Sequence, residues 1–67
     1  MTIQINGESR KVTSALTIAG LLNELNIQNE QVAVEVNLHI VDRQQFSSHS
    51  LAEGDHIEIM SFIGGGS

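Results

Sequence analysis

Three groups of residues carry atoms that could do chemistry: His39, His49 and His56; the run Ser47-Ser48-His49; and the glycines Gly64-Gly65-Gly66 before Ser67. The histidines stand ten and then seven positions apart, without the i, i+4 spacing or the Cys partners of a zinc site, and read as surface residues. A serine nucleophile needs a base and an orienting third group converging in a cleft, and adjacency in a polar stretch does not supply that. The glycines are not a phosphate loop, because no helix follows them and no Lys completes the motif. What they do offer is backbone without side chains. Glycine takes φ of either sign and passes through a channel too narrow for any other residue, so a tail of this kind is suited to threading into another protein's active site.

Composition narrows the field further. A chain of 67 residues is one domain, and at that size only about 60% of the unfolded surface is buried on folding, too little to enclose a deep substrate pocket. There is no Cys, which removes disulfides, thiolate metal sites and a Cys nucleophile, and leaves the core to Ile, Leu and Val. Eight acidic residues face three basic ones, for a net charge of −5, and only Phe46 and Phe62 are aromatic. Nucleic acid is therefore not an expected partner, since phosphate neutralisation needs a positive patch and base stacking needs exposed aromatics. No apolar run approaches the roughly 18 residues of a membrane span, and Met1-Thr2-Ile3-Gln4-Ile5 lacks the features of a signal peptide, so a cytoplasmic protein without a membrane partner is expected.

The elements that must position the tail follow from periodicity. Ile3 and Ile5 alternate with Thr2 and Gln4, and Asn6-Gly7 is a dipeptide favoured in type I′ turns, which predicts a hairpin with a second strand over Glu8 to Val12. Thr17 can cap a helix whose Ile18, Leu21, Leu22 and Leu25 form one apolar stripe, with Asn26 as its stop. Gly20 inside that helix predicts a close approach to the sheet. Val32, Val34 and Val36 alternate as a half-buried strand; Asn37-Leu38-His39 interrupts the pattern and Ile40-Val41 resumes it. The polar stretch from Asp42 to Ser50 predicts a short helical turn anchored by Phe46, and Glu53-Gly54-Asp55 a tight turn. A last strand then has Ile57 and Ile59 on one face and Glu58 and Met60 on the other. One helix across the apolar face of a mixed sheet of four to five strands buries these stripes, in an α+β, ubiquitin-like β-grasp with first and last strands paired in the centre. The expected division is a domain over 1–63 and a glycine-rich tail over 64–67.

Val34-Glu35-Val36-Asn37, Val41-Asp42-Arg43-Gln44-Gln45-Phe46, Leu51, Glu53-Gly54-Asp55, Ile57-Glu58-Ile59 and the terminal glycines together resemble the ThiS family, within the ThiS/MoaD group of sulfur carriers. The resemblance covers essentially the whole chain. It implies a carrier, not an enzyme, that binds no cofactor itself. Its terminal glycine carboxylate would be adenylated by a ThiF-type enzyme using ATP, converted to a thiocarboxylate and presented to a ThiG-type thiazole synthase in thiamin biosynthesis. Matched to the family terminus, Gly66 carries the reactive carbonyl, and Gly64 and Gly65 thread the channel. Ser67 departs from the pattern, because an amide to Ser67 blocks adenylation of Gly66. Either a protease removes it, or it is a cloning remnant, or the chain is not activated. Two other readings stand beside this one: a MoaD-like carrier for molybdopterin, whose relatives are longer and often have prolines that this chain lacks, and a β-grasp interaction module with unreactive glycines. Met60 and Phe62 share the outward face of the last strand and are expected to dock a partner, the alternative being that Phe62 turns back into the core.

Overall fold

The structure, a computed structural model, describes residues 1–62. Strands β1 (Thr2–Ile5) and β2 (Glu8–Lys11) form an antiparallel hairpin, followed by helix α1 (Ile18–Glu24), a 3₁₀ turn at Asn29–Gln31, β3 (Val32–Val36), β4 (His39–Val41), a 3₁₀ turn at Arg43–Gln45 and β5 (His56–Ser61). The five strands make one sheet in the order β2-β1-β5-β3-β4. The last strand is therefore central, parallel to β1 through Gln4↔His56 and Ile5↔Ile57, and antiparallel to β3 from Val32↔Ser61 to Val36↔Ile57. This is the β-grasp expected from the alternation. The 3₁₀ turn before β3 was not among the expected elements, and β2 ends at Lys11, although Val12 continues the pairing by donating its N–H to the Met1 carbonyl at 2.8 Å.

The core lies between one face of the sheet and α1. Ile3, Val32, Val34, Val36 and Ile57 come from the strands, Ile18, Leu21 and Leu22 from the helix, and Phe46 and Leu51 from the segment before β5. A seven-residue helix is too short to persist alone in water, so its packing and its caps hold it. Thr17 is the N-cap, its Oγ1 accepting from the Gly20 N–H at 3.0 Å. At the other end Asn26 takes the left-handed conformation at φ 59, the Asn26 N–H reaches the Asn23 carbonyl and the Ile27 N–H reaches that of Leu22, a Schellman closure. Gly20 has a different role from the expected close approach to the sheet: a Cβ there would come 2.8 Å from Leu16 Cδ1 and 3.3 Å from Thr17 Oγ1. It leaves room for the residues that lead into the helix.

Two asparagines hold β5 from either side. Asn6, at φ 50 in the β1–β2 turn, accepts from the Ile59 N–H at 2.8 Å through Oδ1 and donates to the Ile59 carbonyl at 3.4 Å. Asn37, at φ 52 in the β3–β4 turn, accepts from the His56 N–H at 3.0 Å and donates to the Asp55 carboxylate at 3.0 Å. Each side chain thus extends a ladder beyond the strand that carries it. Both turns are two-residue loops of the kind that need positive φ at both positions, and the first meets that need with Gly7 at φ 87.

The second turn meets it with Leu38, at φ 72 and 86% exposed. A branched apolar side chain in the left-handed region is strained by about 1–2 kcal/mol, and so exposed a side chain gains little by burial. Leu38→Gly is expected to raise the unfolding free energy by about 0.5–1 kcal/mol, the relief being partly offset by the greater freedom of glycine in the unfolded chain. Urea denaturation of the two proteins checks this, and a variant less stable than the parent would show that Leu38 has a packing role in the fold.

Candidate docking face and tail

Because α1 covers one side of the sheet, the other side is open. Along β5 the side chains alternate: Ile57 is buried and Ile59 half-buried on the helix side, while Glu58 and Met60 are exposed on the open side. Met60 is 40% and Phe62 56% exposed, so Phe62 is not folded into the core. Phe62 is nevertheless tied to the sheet, since its N–H donates to the Gln31 carbonyl at 2.9 Å. That bond fixes the end of the central strand. Its position makes β5 the element from which Gly64, Gly65, Gly66 and Ser67 follow in sequence; these four residues lie outside the described residues.

The register defines the rest of the open face. Glu35 on β3 stands directly opposite Glu58 on β5 and, on its other side, opposite Ile40 on β4, while Ala33 stands opposite Met60. Residues opposite one another in a ladder share a face, so Ile40, Glu35 and Glu58 form a row across three strands. Ile40 is 72% exposed. Sequence reading missed Leu38 and Ile40 as surface residues. The signal for Ile40 was its alternation with Val41, which pairs with the buried Val34 and faces inward. For Leu38 there was none, since leucine is not a residue that marks a left-handed turn.

The residues considered for catalysis are not brought together. His39 and His56 are exposed, on β4 and at the start of β5, while His49 is half-buried in the loop after Phe46, where its carbonyl accepts from the Ile18 N–H at 3.1 Å. The Ser48 hydroxyl donates to the Gln45 carbonyl at 3.3 Å and has no bond to an imidazole. Among the described residues no group of three or more His, Asp or Glu side chains could hold a metal ion, and no helix is long and apolar enough to cross a membrane. A shallow depression of about 330 Å³ between Ile5, Leu25, Ile27 and Ile59 is lined by no His, Asp or Glu side chain.

Comparison with known proteins finds relatives over nearly the whole chain. The ThiS family model matches residues 3–66. A thiazole synthase of Paramagnetospirillum magneticum is 43% identical over 67 residues, all of this chain but 21% of that protein, so the chain spans about a fifth of the length of such a relative. A sulfur carrier protein ThiS of Bacillus subtilis is 35% identical over 65 residues, covering 96% of this chain and 98% of that one. The crystal structure of a thiamine biosynthesis protein, ThiS, from Geobacter metallireducens superposes with a TM-score of 0.84 at 33% identity, covering 98% of this chain and all of that one. A match over nearly the whole length, in sequence and in fold alike, leaves one assignment: this chain belongs to the ThiS family of β-grasp sulfur carrier proteins.

Proposed function

We propose that the chain carries sulfur as a thiocarboxylate on Gly66 for thiazole formation in thiamin biosynthesis. The observation that carries this reading is the family match running through to Gly66, on a chain whose central strand ends at Ser61, with only two residues between it and Gly64. A free carboxylate is a poor electrophile. In the proposed cycle a ThiF-type enzyme joins the Gly66 carboxylate to the α-phosphate of ATP and releases pyrophosphate. A sulfur nucleophile at the sulfide level then forms a C–S bond at the Gly66 carbonyl as the C–O bond to AMP breaks. The thiocarboxylate so formed is presented to a ThiG-type synthase. That two relatives named thiazole synthase contain a portion similar to all or nearly all of this chain supports the pairing, because one polypeptide then holds a carrier-like portion beside the synthase.

The chain supplies an acyl group and a surface by which partners recognise it, and the chemistry is done by those partners. Incubation of the chain ending at Gly66 with a ThiF-type enzyme, ATP and a sulfide donor is expected to add about 16 daltons, the difference between oxygen and sulfur. An unchanged mass would leave the β-grasp as an interaction module. Transfer of the sulfur to molybdopterin rather than thiazole would identify a MoaD-like acceptor instead.

Met60 and Phe62 are the docking residues in this reading, with Phe62 two positions before Gly64. Phe62→Ala is expected to weaken binding to the ThiF-type enzyme about tenfold or more, the effect of removing an aromatic anchor, while changing stability by less than about 1 kcal/mol. Calorimetric titration and a urea melt separate the two. Melting of the domain with unchanged affinity in the folded fraction would assign Phe62 to the fold.

A further inference from the structure

The strained and exposed Leu38 is the feature that neither the fold nor the tail accounts for. It stands at φ 72 where glycine would be relaxed, 86% exposed, on the turn that joins β3 to β4. Strain of this kind persists where something besides folding uses the side chain. Its surroundings have a second cost. Glu35 and Glu58 are directly opposite each other across β3 and β5, and like charges so placed repel. Neither carboxylate has an ion pair among the described residues. The three cations are elsewhere: Arg10 and Lys11 on the edge strand β2, and Arg43 donating to the Glu30 carbonyl. The other nearby acids are already used, Asp55 by Asn37 and the Ala52 N–H, and Glu53 by the Thr2 N–H. The open face therefore has an apolar projection, Leu38 with Ile40, beside two uncompensated carboxylates.

We propose that Leu38 is a second anchor for the adenylating enzyme, filling an apolar recess bordered by Lys or Arg side chains that pair with Glu35 and Glu58. This rests on the carrier reading given above. The occupant follows from the span of the face. Asn37 binds β5 at His56, and Phe62 follows the other end of that strand, so Leu38 and Phe62 are separated by about 20 Å at the rise of a β-strand. A standard interface covers about 800 Å² on each partner, roughly 28 Å across, which is wide enough for one enzyme to cover Leu38, the two carboxylates and Phe62 together. Charge gives the register of docking and an association that weakens with salt.

The test measures binding of the full 67-residue chain to a purified ThiF-type enzyme by calorimetry, without ATP, beside exchange assays on the chain ending at Gly66. Leu38→Asn retains a residue that accepts the left-handed conformation and removes the apolar side chain. Its Kd is expected to rise about tenfold or more, while Leu38→Met stays within about threefold, and neither is expected to melt below the parent. Glu58→Lys is expected to weaken binding and flatten its salt dependence. Parental affinity in Leu38→Asn would overturn the proposal, as would parental binding that does not depend on salt. Binding that follows these expectations without any ATP–pyrophosphate exchange would uphold the anchor and overturn the activation of Gly66. Absence of binding by the parent chain would overturn both.

Discussion

Gly65→Val is expected to abolish ATP–pyrophosphate exchange with a ThiF-type enzyme while leaving stability within about 0.5 kcal/mol of the parent. The separation of the two effects follows from where the strand stops. β5 ends at Ser61, and the buried residues of the described core, from Ile3 to Ile57, all precede it. The proposed chemistry instead requires the Gly66 carbonyl to meet ATP inside another protein. A β-branched side chain one residue earlier is stiff and restricts the backbone that must pass the constriction. Deleting Ser67 is expected to act in the opposite direction, since an adenylate can form only on a free carboxylate. Removing that one residue creates or increases exchange, with no change in the melt. Full exchange by Gly65→Val, or equal exchange by the chains with and without Ser67, would overturn the assignment of Gly66 and favour the interaction-module reading.

The parts of the fold that were legible in the sequence are those in which a short pattern decides a local conformation. Val32, Val34 and Val36 alternate with Ala33 and Glu35 because one face of β3 meets α1, and the observed burial alternates in step. Asn6-Gly7 marks its turn because both positions take positive φ, and Thr17 and Asn26 mark the helix ends by satisfying or closing its free backbone groups. Legibility fails where the decisive partner is remote in sequence or where a residue departs from the preference of its site. Asn37 reads locally as a break in a strand pattern, and its bonds to Asp55 and His56 lie 18 and 19 residues away. Leu38 contradicts the chemistry of its own turn. Gly20 suggests a close approach to the sheet, but the atom that needs the space belongs to Leu16, four residues earlier, and not to the sheet. For the site, the outward placement of Met60 and Phe62 could be read from alternation. The row from Ile40 through Glu35 to Glu58 required the strand order, which no local pattern contains.

Phe46→Ala is expected to cost about 3–5 kcal/mol, the largest loss of stability for any single truncation in this domain. Phe46 is the largest of the fully buried side chains, 1% exposed, and the one aromatic ring in a core otherwise made of Ile, Leu and Val. It stands just after the 3₁₀ turn Arg43–Gln45, its N–H donating to the Arg43 carbonyl and its own carbonyl accepting from the Ala19 N–H at 2.9 Å, so the ring and the backbone together hold the polar connection against the helix. Truncation leaves a cavity that a short loop and a seven-residue helix can collapse into only by loosening each other. The whole domain has little to lose. At about 0.05–0.15 kcal/mol per residue, 67 residues give roughly 3–10 kcal/mol in total, so the variant is left with between none and about two thirds of its stability. Phe46→Leu, which keeps most of the apolar volume, is expected to lose about half as much or less. Urea denaturation followed by circular dichroism checks both. Because the ring is enclosed and cannot touch a partner, exchange per folded molecule is expected to be unchanged in Phe46→Leu. A Phe46→Ala protein melting within about 1 kcal/mol of the parent would mean that α1 and the sheet close over the gap, and that the connection from Asp42 to Ser50 is not what holds the helix in place.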